Sequence, residues 1–266
     1  MLRTLLIVLF TVGMSYLISA AIIFGDDVKI VKENPEKALT DASTQNQNVI
    51  LVISDHNKTG EEASLALAQE TAALTSNTLV ALINKDLPEH QVLLQKYNLS
   101  RYPAPYLIIL SPDRFITGGV VPGKMEAARL VTFVPSAKYN EALKARSEKK
   151  PSFILVHGNQ DDSKTQWLNR LNESASKLTP QAAVITLQST DAAEKSFIER
   201  LGVQPDGNEN VVVVLNSAGM VSGKFNTLPE VTLLTQTATK QISKGCGSSC
   251  PSSKSCGGKT SCGEKK

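Results

Sequence analysis

The second half of the chain repeats the first, weakly and at a nearly constant spacing. Leu79-Val80-Ala81-Leu82-Ile83-Asn84 matches Ala183-Val184-Ile185-Thr186-Leu187-Gln188 at an offset of 104, and Ile50-Leu51-Val52 aligns with Ile154-Leu155-Val156 at the same offset. The longest match sets residues 108–118 against 213–223 at an offset of 105, keeping a strand, a turn and a second strand. Self-similarity of this kind constrains the fold before any motif does: the chain must contain one architecture twice. Its 266 residues, 41% hydrophobic and 20% charged, are enough for two domains with cores of ordinary size.

Between the repeated strands the apolar pattern changes period in the same order in both halves. In the first, residues 60–76 place Ala63, Leu67 and Leu74 at helical spacing, with Glu61, Glu62 and Glu70 among the polar positions. Asp86 is positioned to cap a helix over 87–98, with Pro88 near its start where the missing N–H costs least. A further helix is expected over 35–42. In the second half, residues 165–177 bring Trp167, Leu168, Leu171 and Leu178 near one face, and Asp191 is positioned to cap 192–201, which Gly202 ends. The short continuous apolar runs at 49–53, 80–83, 107–110 and 211–215 read as central strands covered on both faces, which requires helices on both sides of a sheet. The first domain is expected over 28–136 and the second over 152–242. Residues 137–151 are polar, helical in pattern and closed by Pro151, and read as a helical linker with a solvated face.

The first half carries a further signature. Its Ile50-Leu51-Val52-Ile53 strand leads through a loop into a long helix, and Tyr102-Pro103-Ala104-Pro105 opens the strand Tyr106-Leu107-Ile108-Ile109-Leu110. This arrangement resembles the thioredoxin superfamily, in which a cis-proline opens the strand beside the active site. The resemblance implies an α/β fold with two tandem thioredoxin-like domains, each a mixed central sheet flanked by helices, following an N-terminal hydrophobic helix. It makes Pro105 the cis-proline candidate, and a proline is what a cis turn requires, since X-Pro pays far less for that bond than any other pair. Thioredoxin oxidoreductases carry Cys-x-x-Cys between the first central strand and its helix, where the helix N-terminus favours a thiolate. Here that stretch is Asp55-His56-Asn57-Lys58-Thr59-Gly60, its counterpart is Asn159-Gln160-Asp161-Asp162-Ser163-Lys164, and neither holds a cysteine. Asn210 stands where a second cis-proline would be. The resemblance therefore implies lobes like the non-catalytic ones of protein disulfide isomerases, which bind a protein client, and no enzyme active site. His56, His90 and His157 occupy different places in the repeat and define no common site. Asp161-Asp162-Ser163 lacks the spacing and closing glutamate of a calcium loop and reads as a helix cap.

The two ends of the chain are of different character. Residues 1–25 combine Arg3 with an apolar run over 5–24 and the small-x-small stretch Ser19-Ala20-Ala21, the marks of an export segment. It is read either as a cleaved signal peptide or as a membrane anchor through residues 5–24, because about twenty apolar residues suffice to cross a bilayer. Either reading puts the remainder outside the cytoplasm, periplasmic or extracellular. Residues 243–266 form a Gly/Ser/Lys tail that holds all four cysteines, Cys246, Cys250, Cys256 and Cys262. Thiolates on such a chain suit Zn(II) or Cu(I), and an even number outside the cytoplasm equally permits disulfides. Any redox or metal-transfer activity would act through these tail thiols. Nucleic acid is set aside as a partner: the net charge is only +3, concentrated in the tail, and aromatic residues are 5% of the chain.

Overall fold

A computed structural model describes residue 28 and residues 30–75, 77–123, 125–158, 163–204 and 210–242. The expected export segment and cysteine tail lie outside these residues. Among the described residues, no helix is long and apolar enough to cross a membrane.

The first unit opens with a two-residue strand, β1 (Ile30–Val31), followed by α1 (Pro35–Thr44), β2 (Asn48–Ser54), α2 (Glu61–Ala73) and β3 (Thr78–Asn84). A 3₁₀ turn (Pro88–His90) leads into α3 (Gln91–Lys96), then the hairpin β4 (Tyr106–Leu110) and β5 (Ile116–Val120), and α4 (Ala127–Val131). Its sheet order is β1-β3-β2-β4-β5, with β1, β3 and β2 parallel and β4 and β5 antiparallel. The second unit comprises α5 (Ala137–Ser147), β6 (Ser152–His157), α6 (Lys164–Ser176), β7 (Ala183–Gln188), α7 (Lys195–Arg200), the hairpin β8 (Val211–Leu215) and β9 (Val221–Phe225), and α8 (Val231–Thr239). Its sheet is β7-β6-β8-β9, the same order without the first edge strand.

Each sheet separates two apolar layers. In the first unit Leu51, Ile53, Ala81 and Ile108 face the layer under α1 and α3, while Ile50, Val52, Val80 and Ile109 face α2 and the α4 segment. In the second, Ile154, Val156, Ile185 and Val213 face α5 and α7, and Phe153, Leu155, Val212 and Val214 face α6 and α8. These layers correct one offset of the repeat. Leu51 corresponds to Ile154 and Ile50 to Phe153, so the first central strand repeats at 103, because a strand's side chains alternate faces and a one-residue slip would exchange the two cores. Helices α2 and α6 keep the same spacing from end to end.

The hairpins repeat in detail at 105. The Ser111 hydroxyl accepts from the Phe115 N–H at 3.0 Å, as the Asn216 side-chain oxygen does from Met220 at 3.0 Å. Left-handed Arg114 corresponds to Gly219, and both ladders carry a bulge one residue before the strand ends, at Ile109/Leu110 and Val214/Leu215.

Three expectations are corrected by packing. The buried face of α2 is Ser64, Leu65, Ala68, Thr71 and Ala72, and Leu74 is exposed. Ser64 and Thr71 return their hydroxyls to the Gly60 and Leu67 carbonyls at 2.7 Å each, so they pack as small, self-satisfied residues. Residues 137–151 are more than a linker: α5 places Ala142 and Tyr139 in the second core, with Tyr139 stacked on Phe197, and is the counterpart of α1. Asp191 accepts from the Ala193 N–H in a turn, and α7 begins only at Lys195.

Gly118 and Gly223, another pair at 105, let the following helical segments close onto the hairpins. A Cβ on Gly118 would stand 2.6 Å from the Phe133 Cβ, and one on Gly223 would stand 2.5 Å from the Thr237 methyl. The Phe133 stem is rooted in its backbone whereas a threonine methyl can rotate away. Gly118→Ala should therefore cost about 1–3 kcal/mol, and Gly223→Ala less, when urea midpoints are compared. Equal midpoints for Gly118→Ala and the natural chain would mean that the Phe133 segment does not sit this close.

Candidate functional site

The parallel pairing of β2 with β3 sets Ser54 opposite Asn84, so the residues two positions beyond each strand end, His56 and Asp86, emerge side by side. One Asp86 carboxylate oxygen accepts from the His56 backbone N–H at 2.8 Å and lies 2.9 Å from the ring Nδ1. Asp86 thus pins the β2–α2 loop and is not the expected cap of 87–98, whose first turn is 3₁₀ and has no side-chain cap. The rest of the loop turns on itself: the Asp55 carboxylate accepts from Asn57 N–H at 3.0 Å, and Lys58 and Gly60 are left-handed, delivering the chain to α2. These hydrogen bonds from His56 lower the Asp86 pKa from the ordinary carboxylate value.

Opposite this loop stands the turn before β4. The Ala104–Pro105 peptide is cis, and the Pro105 ring is so close to the N-cap of α2 that a Cβ on Gly60 would lie 3.1 Å from its Cγ. Beyond Pro105, Tyr106 is buried and its hydroxyl donates to the Leu99 carbonyl at 2.7 Å; burial raises this phenol's pKa well above the ordinary range. Tyr102 is exposed, tilted against Tyr106 at 5.3 Å and covered by the Arg101 guanidinium at 5.1 Å. The result is a lip of Arg101, Tyr102, Pro103 and Pro105, of which Pro105 lies against the N-terminus of α2.

A sheet ordered 1-3-2-4-5, a helix N-terminus after the central strand and a cis-proline against that N-terminus together decide the fold. Each unit is thioredoxin-like. The second thioredoxin-like unit repeats the juxtaposition with other residues: Asn210, at the Pro105 position, donates to the hydroxyl of Ser163, the N-cap of α6, at 2.9 Å. Asn210 is 8% exposed, and among the described residues its side-chain oxygen has no hydrogen-bond partner. A second cis peptide, Thr179–Pro180, lies ahead of β7 and has no counterpart at the lip.

No protein-family model matches the chain, and no curated protein matches it. Among solved structures it is similar to a mutant thioredoxin from Halobacterium salinarum, at 18% identity over 41% of this chain and 91% of that one, with a TM-score of 0.33. It is also similar to the first two thioredoxin domains of Naumovozyma dairenensis Eps1p, at 13% identity over 80% and 97% of the two chains, TM-score 0.29. Full-length ERdj5 matches at 13% identity over 79% of this chain and 30% of its own, TM-score 0.32. The fold is assigned on strand order, register and the Pro105 geometry.

The chemistry of the lip differs from that of a dithiol site. Its loop offers one carboxylate, an imidazole, an amide, an ammonium and a hydroxyl, with no sulfur, and the first turn of α2 carries Glu61 and Glu62. Among the described residues, no three His, Cys, Asp or Glu side chains come together as a metal site. His90 is buried, with its Nδ1 accepting from the Asn84 N–H at 3.0 Å, and His157 lies at the end of β6 with Nδ1 2.8 Å from the Gly158 carbonyl. The three histidines remain apart. Cys246, Cys250, Cys256 and Cys262 lie outside the described residues. Sequence reasoning missed the His56–Asp86 pair, although the length of the β2–β3 connection carries the signal once the strand register is known.

Ionised Asp86 is the form that holds His56, so the native state binds this proton less tightly than the unfolded chain. The stability involved is present above the ordinary aspartate pKa, about 3.9, and drains away as pH falls through the lowered native value. In His56→Ala, the Asp86 carboxyl should titrate closer to the ordinary value, read by ¹³C NMR. An unchanged midpoint would show that the pair does not persist in solution.

Proposed function

We propose that this is an exported partner-binding protein, a non-catalytic pair of thioredoxin-like units in which the Pro105 lip receives a segment of a client protein. The observation that carries the reading is the lip itself. An exposed aromatic and an arginine flank two prolines, one of which lies against the α2 N-terminus, while the positions that would perform dithiol exchange are occupied by Asp55–Gly60. Exposed tyrosine beside arginine is the composition of energetic centres in protein interfaces. The apolar segment over 5–24 supports export, with the units held outside the cytoplasm by an anchor or released after cleavage. The tail supplies the remaining chemistry: Cys246, Cys250, Cys256 and Cys262 hold a soft metal or form disulfides.

A second reading is supported by the clustering of every cysteine in that tail. In it the protein exchanges disulfides or passes metal through the tail thiols, and the units only present them. Binding of a reduced, alkylated model polypeptide to the full chain separates the two. The lip reading expects affinity to survive conversion of all four cysteines to serine and to fall about tenfold in Tyr102→Ala, the equivalent of roughly 1.4 kcal/mol. Binding that disappears with the cysteines and ignores Tyr102 would overturn it in favour of the tail.

A further inference from the structure

The two units differ at one sheet edge. In the first, β1 pairs in parallel with β3, Ile30 opposite Val80, and Val80 is 0% exposed. Consecutive side chains of β1 close both apolar layers: Ile30 packs on the α2 side and Val31 on the α1 side. The corresponding edge of the second unit is β7, which among the described residues pairs only with β6. Its Val184, the counterpart of Val80, is part-exposed.

The orientation of the β7 backbone follows from the ladder. Ala183 and Ser189 donate to the Pro151 and His157 carbonyls at 2.9 and 2.8 Å, so odd-numbered residues address β6 and even-numbered ones face away. Among the described residues no hydrogen bond reaches the outward backbone groups of Val184 or Thr186. Ala183–Gln188 contains no charge or proline, features that ordinarily protect an edge, whereas the outer strands β5 and β9 pair through bulged ladders and β9 carries Lys224.

The chain cannot supply the missing strand from the equivalent place. In the first unit β1 ends four residues before α1 begins; the same position before α5 is Thr132 and Phe133. Phe133 is packed in the first core, and the Thr132 carbonyl accepts from Ser196 Oγ at 3.1 Å and from the Arg200 guanidinium at 2.6 Å. These residues are committed to joining the units.

We infer that β7 is a docking edge for an extended segment of a partner protein, which enters parallel to the strand and carries two adjacent β-branched aliphatic residues. The intramolecular β1–β3 pair specifies this guest: the backbone of Val184 and Thr186 supplies the pairing, and each aliphatic side chain closes one apolar layer. A second copy pairing edge to edge about a two-fold axis would set β7 antiparallel to itself, unlike the parallel β1–β3 pair that specifies the guest. The inference deepens the partner-binding reading by adding a surface that does not include the Pro105 lip.

The test uses the full chain in detergent and, as probe, a synthetic peptide of the chain's own residues 26–34, which contain Ile30-Val31. At ten times its Kd the peptide should slow amide exchange in 183–188 about tenfold, while a peptide with both aliphatic residues changed to serine should not. Thr186→Pro removes one outward donor at a position where an edge strand tolerates proline, and should abolish protection. Thr186→Lys, which keeps the backbone intact, guards against a folding defect and should weaken it. Protection that persists in both variants, or that is absent at millimolar peptide, overturns the inference, as does protection without peptide that grows with protein concentration. Tyr102→Ala should leave this protection unchanged, so failure at the lip and failure at the edge are read separately.

Discussion

Burial of the central strand on both faces is the constraint from which each unit is built. Every residue of β2 is buried, and Val49 to Ile53 are at most 2% exposed. Each such aliphatic side chain contributes about 1.5–3 kcal/mol relative to exposure, but only if a helical layer covers each side. The strand therefore dictates where α1, α2, α3 and α4 must go, and β6 dictates the same for α5 to α8. The lip inherits its position from this arrangement: the loop leaves β2 at the end where β3 also ends, and β4, paired antiparallel to β2, begins there immediately after Pro105.

How far the sequence reveals this depends on how much local pattern carries the information. The apolar strands and the repeat are legible because continuous burial leaves a run of aliphatic residues. The hairpins are legible in register because turn chemistry fixes them. The offset of the first strand is not, since three aliphatic residues align equally well one position away, and only the packing of Phe153 and Ile154 against different helices decides between faces. The inward face of α2 is hidden by Ser64 and Thr71, whose hydroxyls are satisfied within their own helix. The two-residue β1 has no periodicity to detect. At the site, Pro105 announces itself through its chemistry, whereas the Asp86 contact depends on register between strands and so is not a property of either segment alone.

The connection between the units is a shared structure more than a tether. Ser136 caps α5, and the buried Glu194 at the start of α7 receives the Ser136 hydroxyl and, at 3.0 Å, the Lys138 N–H. The same α7 sends Ser196 and Arg200 to the Thr132 carbonyl, and Arg200 lies over both Phe133 and Tyr139. From the first unit's side, Asn48 donates to the Pro135 carbonyl at 3.1 Å. Charge and hydrogen bonding thus converge on the segment 132–138, where the first unit passes into α5.

The carboxylates around the α2 N-terminus have a consequence for the chemistry this loop can host. A helix N-terminus ordinarily favours a thiolate, but Asp55, Glu61 and Glu62 and the ionised Asp86 now occupy that loop and the first turn of the helix. A cysteine placed at this loop would meet negative charge, its thiol would hold its proton more tightly, and its attack on a disulfide would be slowed. Dithiol exchange here would require removing charges as well as adding sulfur. The lip is therefore separated from a dithiol site by several coordinated substitutions, a chemical distance that the backbone geometry alone conceals.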